Sequence, residues 1–511
     1  MRETIPDDPR RRGFLALALA AGVAPGLLAC AHRDRAAGDP FALGVASGCP
    51  RPDSVVLWTR LAPQSSPAPS QSIAWELADD ERFSRVLRSG SVVVDASTAH
   101  SLHVTVEGLA PSRWYWYRFS SAGARSETGR TRTAPPPDRE EPFAFAIASC
   151  QRFDDGHYAA WRHMADESPD LVVFLGDYIY ESAPRGGRVR THVGEGAATT
   201  LADYRARYEQ YRSDPALRRI HATAPWIVTW DDHEVQNDYA SDRGPDLAPH
   251  FLARRAAAYR AWWEHMPLPM SMRPIDANLR VYDRYAWGAL ARFHVLDDRQ
   301  YRDYQACPQP GRGGSNTVND GDCPDLVLPK RSILGPAQEA WLSDGLAQAG
   351  ARWNLVAQQT LVAPFTWSKA GRHWTDGWSG YPAARERLMD AIVERRVQDV
   401  VALSGDVHCN YVADLRRRPD DPPEATIATE FCGTSISSAG LPQARVDAAL
   451  AFNPHIRYAR SDERGYVSLA VSRARVDARL RVVSDVGDPQ ATIRTAAAFA
   501  VEAGRPGAQP A

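Results

Sequence analysis

One segment sets the fold class, the run Leu171-Val172-Val173-Phe174-Leu175-Gly176-Asp177-Tyr178-Ile179-Tyr180-Glu181. Its five apolar residues before Gly176 predict a short buried strand that ends at a turn. A similar apolar run, Phe143–Ser149, ends at Cys150, and a helix is predicted between the two runs over Gly156–Glu167. This order of strand, helix and strand is typical of an α/β domain built in layers.

The alternation of strands and helices continues along the chain, and we predict one α/β domain over residues 141–490. The further strands are predicted at Trp226–Trp230, Ala291–Leu296, Trp353–Ala357, Val400–Leu403, Thr426–Glu430 and Tyr466–Val471. The further helices are predicted at Leu201–Tyr211, Phe251–His265, Pro336–Ala349 and Ala383–Val397. From about Ala496 the chain is rich in Ala, Gly and Pro, and we expect this tail to fray.

Residues 40–135 have a different pattern, because short β-rich runs recur there between turn residues. The runs are Ser54–Leu61, Ile73–Leu77, Ser91–Asp95, His103–Glu107 and Trp114–Phe119. Their spacing predicts an N-terminal β-sandwich domain of immunoglobulin or fibronectin type. The short, stiff stretch Ala134-Pro135-Pro136-Pro137 is predicted to link this domain to the α/β domain.

The composition of the 511-residue chain is that of an ordinary globular protein, with 44% hydrophobic and 24% charged residues. These values exclude disorder, collagen and coiled coil as descriptions of the whole chain. The formal net charge is −2, so no nucleic-acid-binding surface with a strong basic field is expected. No apolar run of about 20 residues follows residue 30, and we do not expect the mature chain to span a membrane.

Residues 1–30 are predicted to be an export signal, because an Arg-rich start precedes a short apolar stretch. The core Arg11-Arg12-x-Phe14-Leu15 resembles a twin-arginine signal, which implies the twin-arginine export machinery as a partner. A Sec signal with an Arg-rich start is the alternative. Leu27-Leu28-Ala29-Cys30 also resembles a lipobox with Cys30 as a lipid anchor, the alternative being cleavage nearby and release. We therefore expect a periplasmic, secreted or lipid-anchored protein.

The seven cysteines include no CxxC pair, so a zinc knuckle is not expected. Outside the cytoplasm a disulfide is permitted, and Cys307 and Cys323 flank a loop rich in Gly, Pro and Asn. We predict that these two cysteines pair and close the loop. Cys409 and Cys432 lie near apolar runs and are predicted to be buried thiols.

Polar side chains follow five of the predicted strands, at the edge where α/β sheets bind ligands. The clusters are Ser149-Cys150-Gln151, Gly176-Asp177-Tyr178-Ile179-Tyr180-Glu181, Asp231-Asp232-His233-Glu234-Val235-Gln236-Asn237-Asp238, Asp297-Asp298-Arg299-Gln300-Tyr301-Arg302 and Ser404-Gly405-Asp406-Val407-His408. Each cluster alone is compatible with a turn, a helix start or a core thiol. Burial of so many unpaired polar groups is unfavourable, whereas a metal ion gives each group a partner. Together the clusters therefore predict a metal site.

In this order the five clusters resemble the motifs of the PhoD family of alkaline phosphatases and phosphodiesterases, within the calcineurin-like metallophosphoesterases. Gly44-Val45-Ala46-Ser47-Gly48-Cys49-Pro50 and Ser54-Val55-Val56-Leu57-Trp58-Thr59-Arg60 resemble the start of the family's β-sandwich domain, and Gly129-Arg130-Thr131-Arg132-Thr133 resembles its end. The resemblance extends over residues 40–485. It implies a layered α/β/β/α metallophosphoesterase domain with a metal cluster at the ends of its sheets.

The resemblance also implies the metals, a ferric ion paired with a divalent ion that is calcium in PhoD-type enzymes. The ligands implied for the iron are Cys150, Asp177, Tyr180 and His408. The ligands implied for the second metal are Asn237, Asp376 and Asp406, with Asp177 as the bridge. Thiolate, phenolate and carboxylate suit a trivalent ion, and carboxylate and amide oxygens suit a hard cation such as calcium. The alternative for Asp376 is a turn carboxylate.

Two motifs differ from those of metallophosphoesterases in general. Asp231-Asp232-His233-Glu234 stands in place of Gly-Asn-His-Glu, and Gly405-Asp406-Val407-His408 stands in place of Gly-His-x-His. Both changes occur in the PhoD branch. They leave the ligand from the third cluster open between Asp232 and Asn237.

The resemblance implies hydrolysis of a phosphate mono- or diester, in which metal-bound hydroxide attacks phosphorus. His233 is the candidate catalytic residue, as a donor to the leaving group or to a phosphate oxygen, the alternative being a structural histidine. Arg299 is a lesser candidate for contact with the phosphate. Two other functions stay open, a phospholipase- or nuclease-like diesterase on the same scaffold and a surface binding protein whose metal site is structural.

Overall fold

The structure is a computed structural model that describes residues 38–62, 69–186, 188–348, 350–418 and 421–511. The predicted export signal and the lipobox at Cys30 lie outside these ranges, so both stay predictions. None of the helices in the described ranges has the length and hydrophobicity that a membrane span requires.

The secondary structure alternates between strands and helices after an N-terminal part made of strands. The strands of that N-terminal part are β1 (Val45–Gly48), β2 (Val55–Arg60), β3 (Ser70–Ala78), β4 (Val86–Asp95), β5 (Ser101–Val106), β6 (Trp114–Ser121), β7 (Ala124–Arg125) and β8 (Gly129–Arg132). The strands that follow are β9 (Phe143–Ala148), β10 (Leu171–Phe174), β11 (Trp226–Val228), β12 (Asp283–Trp287), β13 (Ala291–Val295), β14 (Thr317–Asn319), β15 (Trp353–Ala357), β16 (Arg372–Trp374), β17 (Val400–Ser404), β18 (Asn410–Arg416), β19 (Thr426–Cys432), β20 (Ile456–Arg460), β21 (Gly465–Val471), β22 (Arg475–Val483), β23 (Ile493–Glu502) and β24 (Arg505–Pro510). The helices are α1 (Ala159–Glu167), α2 (Leu201–Arg212), α3 (Pro215–Thr223), α4 (Phe251–His265), α5 (Gly335–Ala347), α6 (Pro382–Glu394) and α7 (Gln443–Leu450).

Local signals in the sequence set several of these bounds. The side chain of Thr200 accepts a hydrogen bond from the N–H of Asp203, and the Asp203 carboxylate accepts one from the N–H of Thr200. This reciprocal pair satisfies two N–H groups at the start of α2 that have no partner inside the helix. At the start of α3, the Asp214 carboxylate accepts from the N–H of Ala216, and Pro215 occupies the first turn, where its missing N–H is tolerated.

Within the described residues, the strands that precede the polar clusters belong to two large sheets. The ten-stranded sheet has the order β24-β23-β22-β21-β9-β10-β11-β1-β2-β5. The seven-stranded sheet has the order β12-β13-β15-β17-β19-β18-β20. In the first sheet β9, β10 and β11 are parallel neighbours, and in the second β13, β15, β17 and β19 are. Parallel strands end at the same edge of a sheet, so each sheet collects its polar clusters along one edge.

The two edges are joined by Gln359, which follows β15. Its side-chain amide donates to the carbonyl oxygen of Trp230 at 2.8 Å and to that of Leu296 at 3.0 Å. Trp230 follows β11 in one sheet, and Leu296 follows β13 in the other. The hydroxyl of Thr229 donates to the same Leu296 carbonyl at 2.9 Å. These buried hydrogen bonds bring the polar clusters of both sheets to one place.

The hydrophobic core extends over both large sheets. One cluster of buried side chains includes residues of both sheets and of helices α1 to α4, with Trp161 and Trp353 fully buried in it. A second cluster joins the seven-stranded sheet to α5, α6 and α7 through residues such as Leu342, Met389 and Val446. The mixed α/β fold is therefore as predicted.

The N-terminal strands divide between two sheets. In the described residues β3, β4, β6, β7 and β8 form a separate five-stranded sheet, whereas β1, β2 and β5 extend the ten-stranded sheet. Side chains from both sets, among them Leu57, Leu102 and Tyr117, share one hydrophobic cluster. The strands β2 to β6 lie where the sequence predicted them, whereas β1, β7 and β8 were not predicted. The sequence also did not indicate that β1, β2 and β5 continue the large sheet of the α/β part.

The C-terminal segment is part of the ten-stranded sheet, and the prediction that it frays from Ala496 was wrong. β23 pairs with β22, and β24 pairs with β23, both antiparallel. Phe499 and Val501 belong to the large hydrophobic cluster. An Ala-rich segment can form a strand when a neighbouring strand supplies its hydrogen bonds and a core face. The large sheet therefore continues beyond the predicted domain boundary at residue 490.

The disulfide predicted between Cys307 and Cys323 is present. Cys409 and Cys432 are buried free thiols, as predicted. The disulfide closes a loop that carries β14, and β14 pairs with β16 in a two-stranded sheet. The loop is thereby held against the segment that precedes Asp376.

Candidate metal centre

The four residues predicted to hold iron lie together. The Sγ atom of Cys150, a carboxylate oxygen of Asp177 and a ring nitrogen of His408 all lie within 4.8 Å of one another. The Tyr180 hydroxyl donates to Asp177 Oδ2 at 2.8 Å and lies 3.1 Å from His408 Nε2. Cys150 follows β9, Asp177 and Tyr180 follow β10, and His408 follows β17, so the group is assembled from both large sheets.

Four of the predicted ligands have left-handed backbone conformations. The φ angles of Cys150, Asp177, Asp406 and His408 are 58°, 58°, 63° and 52°. Such values are uncommon for residues other than glycine, and they persist only where the surrounding structure holds them. Here the N–H of Cys150 donates to the carbonyl of Gly176 at 3.1 Å, which ties the ends of β9 and β10 together. Strain concentrated on these residues supports a functional role for the group.

Glu234 fixes the backbone of the two clusters that follow β10 and β11. Its carboxylate accepts hydrogen bonds from the N–H groups of Asp177 at 3.0 Å, Tyr178 at 2.6 Å and Asp231 at 2.8 Å. Glu234 is fully buried. The sequence motif contains this residue but did not show its role, because its partners lie 56 and 57 residues away on another strand end.

A second group of acidic side chains lies beside the first. Asp232 belongs to three groups of side chains, and within each group the possible ligand atoms lie within 4.8 Å of one another. Its partners are Asp177 and His233 in the first group, Asp231 and Asp406 in the second, and Asp238 and Asp376 in the third. Among the described residues, Asp232 Oδ1, Asp406 Oδ2 and Asp231 Oδ2 are buried and have no hydrogen-bond partner. Buried carboxylate oxygens without partners are unfavourable, and a hard cation would supply the missing partner. The donor set therefore fits an oxygen-liganded metal.

The guanidinium group of Arg299 lies between the carboxylates of this acidic group. Its side chain is fully buried. Nε donates to Asp231 Oδ1, and Nη1 donates to Asp376 Oδ2 at 2.7 Å. Nη2 lies 3.8 Å from Asp232 Oδ1 and 4.0 Å from Asp406 Oδ2. The sequence suggested that Arg299 contacts a phosphate. In the structure its positive charge instead balances the negative charges of the buried carboxylates around it.

Asp376 lies in the same charged network. Its Oδ1 accepts from Arg302 Nη1 at 2.8 Å and from Gln305 Nε2 at 2.7 Å, while its Oδ2 accepts from Arg299. Both oxygens are therefore engaged by protein donors. The role of Asp376 as a metal ligand stays a prediction, and Asp232, with its free oxygen, is the nearer candidate.

His233 is held by a carboxylate on the far side of its ring from the cavity. Its Nδ1 lies 2.6 Å from Glu181 Oε2, and Glu181 Oε1 accepts from the N–H of Asn237 at 2.9 Å. The ring of His233 lies 4.0 Å from that of Tyr180, centroid to centroid. Burial alone lowers the pKa of His233, but the carboxylates of Glu181, Asp177 and Asp232 outweigh it and raise the pKa to about 10. With no cation on Asp177 and Asp232, the imidazole is therefore protonated and able to donate a proton.

The acidic ligands have environments that disfavour their charged forms. Burial raises the pKa of the Cys150 thiol, and the charges of Asp177 and Asp406 raise it further. Burial also raises the pKa of Tyr180, and the Asp177 carboxylate adds to that shift. A bound cation reverses this balance, because a coordinated thiol is deprotonated outright. A cation bound beside these side chains would therefore favour their anionic forms.

His408 presents a neutral imidazole to the group. Burial and the charge of Arg464 lower the pKa of His408 to about 3. Its Nδ1 lies 2.8 Å from the carbonyl oxygen of Ala439, so Nδ1 carries the proton and donates it to that oxygen. The lone pair of Nε2 then points toward Tyr180 and the other ligands. Fixing one ring nitrogen in this way is the usual arrangement for a metal-ligating histidine.

A cavity of about 400 Å³ opens onto these residues. Of the predicted site residues, those that line it are Asp177, His233, Asn237, Asp406 and His408. Asp232 and Asp238 line it as well. The sequence therefore found the site residues on this side of the cavity, including Asp232 as the alternative ligand of the third cluster, and the structure adds Asp238.

The sequence profile described as PhoD-like phosphatase matches residues 145–480. The chain belongs to the PhoD-like phosphatase family. A second profile, described as the N-terminal domain of PhoD-like phosphatases, matches residues 28–135. The resemblance seen in the five clusters is confirmed by these matches, which together span most of the chain.

Among known proteins, the chain is similar to alkaline phosphatase D of Bacillus subtilis (strain 168), with 42% identity over 482 residues, 90% of this chain and 80% of the relative. A solved structure titled "Structure of PhoD" matches with a TM-score of 0.87 and 40% identity, covering 95% of this chain and 93% of that chain. A purple acid phosphatase from yellow lupin seeds matches with a TM-score of 0.56 at 11% identity, covering 90% of this chain and 74% of that chain. This last likeness shows a shared fold only.

Proposed function

We propose that the chain hydrolyses phosphate mono- or diesters at a mixed metal centre. The observation that carries the proposal is the convergence of thiol, carboxylate, phenol and imidazole from both sheets. The carboxylate and the imidazole of this group, Asp177 and His408, line the 400 Å³ cavity. Membership of the PhoD-like phosphatase family and 42% identity to an alkaline phosphatase D support it. Bound metals would activate water and neutralise charge on the phosphate.

In the proposed centre, Cys150, Asp177, Tyr180 and His408 would hold a ferric ion. Asp406, with oxygens of Asp232 and Asn237, would hold calcium, and Asp177 would be shared between the two sites. Support for the second site comes from the unpartnered oxygens of Asp232 and Asp406 and from the place of Asn237 on the same cavity wall. Oxygen donors of this kind suit calcium.

His233 acts in this proposal as the proton donor to the departing alcohol. Glu181 holds Nδ1, which leaves Nε2 to donate, and both residues lie on the wall or just behind it. The negative charge of Glu181 keeps the imidazole protonated. General acids of this kind contribute typically about 10²- to 10⁴-fold to the rate.

His233→Asn is expected to lower kcat for an alkyl phosphate ester by about 10²-fold or more. The loss for a p-nitrophenyl ester should be smaller, because that leaving group departs without a proton. Steady-state rates on the two substrates measure the difference, and Glu181→Gln should show the same bias more weakly. Equal losses on both substrates would show that His233 has a structural role instead.

Cys150→Ala is expected to remove most of the bound iron while leaving the protein folded. Iron per chain, measured by mass spectrometry of the metals, should fall well below that of the wild type. Cys49→Ala is the matched control, because Cys49 is also a buried free thiol but contacts Pro267 and Tyr285 and not the proposed ligands. Unchanged iron in Cys150→Ala, with a normal circular dichroism spectrum, would remove Cys150 from the ligands.

The fold supports the finer architecture implied by the resemblance, which we include in the proposal. Residues 40–135 contribute a β-sandwich of two layers. One layer is the five-stranded sheet, and the other is formed by β1, β2 and β5 at the edge of the ten-stranded sheet. The remaining elements form a layered α/β/β/α catalytic domain from residue 141, with the two large sheets inside and the helices outside.

The proposal includes the location of the protein. It is exported by the twin-arginine route, and it acts in the periplasm, as a secreted protein, or as a protein anchored to the membrane through a lipid on Cys30.

The experiment that tests the proposed function is hydrolysis of a chromogenic phosphodiester and monoester by the purified, metal-loaded protein. We expect turnover of at least one, and the ratio of the two rates assigns the subclass. A phospholipid and an oligonucleotide in the same panel test the two alternative diesterase activities. No turnover of any ester by folded, metal-loaded protein would favour a binding function.

A further inference from the structure

The cavity beside the candidate metal centre is lined by two chemically different sets of residues. One set, the polar wall, consists of the acidic and imidazole groups of the centre. The other set, the apolar wall, consists of side chains that take no part in holding metals: Leu361, Phe365, Trp367, Trp374 and Leu441. Apolar surface that lines a cavity is stabilised when an apolar part of a ligand covers it. The second wall therefore points to an apolar part of the ligand.

The aromatic residues of this wall are held in place before any ligand binds. The rings of Phe365 and Trp367 pack edge to face with centroids 4.8 Å apart, and the guanidinium of Arg445 lies 4.8 Å from the centroid of Trp367. The N–H of Trp367 donates to the carbonyl oxygen of Arg372 at 2.8 Å. Trp374 belongs to β16, which pairs with β14 of the disulfide-closed loop. Rings fixed in this way bind a planar group without losing their own freedom.

We propose that this wall selects phosphate esters whose alcohol carries an aromatic group, or an apolar group of similar size. The inference rests on the proposed function and adds to it the part of the substrate that the metals do not contact. The phosphate would lie against the polar wall, and its alcohol group would pack on Trp367 and Trp374. A cavity of about 400 Å³ must hold the phosphate as well. That volume is at the lower end for ligand sites and leaves room inside the cavity for one or two rings.

Binding of two phosphonates to metal-loaded protein tests the proposal, since neither is hydrolysed. Methylphosphonate carries only the head group, and benzylphosphonate adds one ring. We expect benzylphosphonate to bind at least about 10-fold more tightly, as stacking of one ring on an aromatic side chain predicts. Trp367→Ala should remove most of that advantage and leave methylphosphonate binding unchanged. Trp116→Ala, a partly buried tryptophan of β6 far along the chain from the cavity residues, is the matched control.

The possible outcomes distinguish the inference about the aromatic group from the proposed hydrolytic function. Equal affinity of the wild type for both phosphonates overturns the inference, even if the protein hydrolyses simple esters. An affinity that keeps rising with alkyl chain length, as tested with decylphosphonate, also overturns it and indicates an acyl chain as the occupant. Failure of the folded, metal-loaded protein to hydrolyse any phosphate monoester or diester, phenyl phosphate included, overturns the proposed function instead. Leu441→Ser is a second variant that tests the same inference. Its position is 37% exposed, so the change leaves the buried core intact, and it should also reduce the preference for benzylphosphonate.

Discussion

Arg299→Met is expected to lower the free energy of unfolding by about 3–5 kcal/mol, the loss that follows when one partner of a buried ion pair is removed. Arg299 is fully buried and donates to both Asp231 and Asp376. Methionine has a similar length but no charge, so the variant leaves the Asp231 carboxylate buried with no cation. Asp376 keeps Arg302, which lies 2.8 Å from its other oxygen. Urea unfolding of the chelated protein measures the loss without help from a bound metal.

Two further variants identify the cause of this loss. Arg475→Met removes a cation whose side chain is 54% exposed and paired with Asp477, and it should cost about 1 kcal/mol or less. Asp231→Asn in the Arg299→Met background should recover part of the stability, because it removes the charge that was left without a partner. An Arg299→Met protein as stable as the wild type would show that the acidic group does not depend on this internal cation.

Asp177→Asn is expected to lower kcat by at least about 10²-fold, since loss of one charge-stabilising group at such a site removes a few kcal/mol of transition-state stabilisation. Asparagine keeps the size of the side chain but removes the negative charge that the two proposed metals would share. The backbone N–H of residue 177 still has Glu234 as its acceptor, so the left-handed turn should survive. Hydrolysis rates and metal content on the same sample measure the effect.

The control for Asp177→Asn is Asp166→Asn. Asp166 is an exposed carboxylate of α1 that pairs with Arg219 at 2.6 Å, and its change to asparagine should leave both rate and metal content unaltered. Turnover near that of the wild type in a folded, metal-loaded Asp177→Asn protein would refute the bridging role of Asp177.

Much of the site could be predicted because it is built from short motifs at the ends of apolar strands. The apolar runs before Cys150 and Asp177 predict two strands, and the polar residues that follow each run mark where the strand ends. The bounds of α4 and β15 were predicted to the residue, as Phe251–His265 and Trp353–Ala357. Local pattern was sufficient wherever the deciding contacts are local.

The features that could not be predicted depend on contacts between distant parts of the chain. Arg299 pairs with Asp231 and Asp376, which are 68 and 77 residues away, and no spacing in the sequence marks either pair. The left-handed backbone of Cys150 follows from its place between two strand ends and not from its residue type. The tail after Ala496 forms strands because β22 supplies a partner, which its own composition does not indicate.

The most direct test of the proposed metal-dependent hydrolysis follows the metals and the activity of one sample of purified protein through chelation. Metal content and hydrolysis of a chromogenic ester would be measured before chelator, after it, and after calcium is added back. The proposed centre predicts iron in the initial sample, loss of activity with loss of calcium, and recovery when calcium returns. Full activity in protein that contains neither iron nor a divalent metal would contradict it.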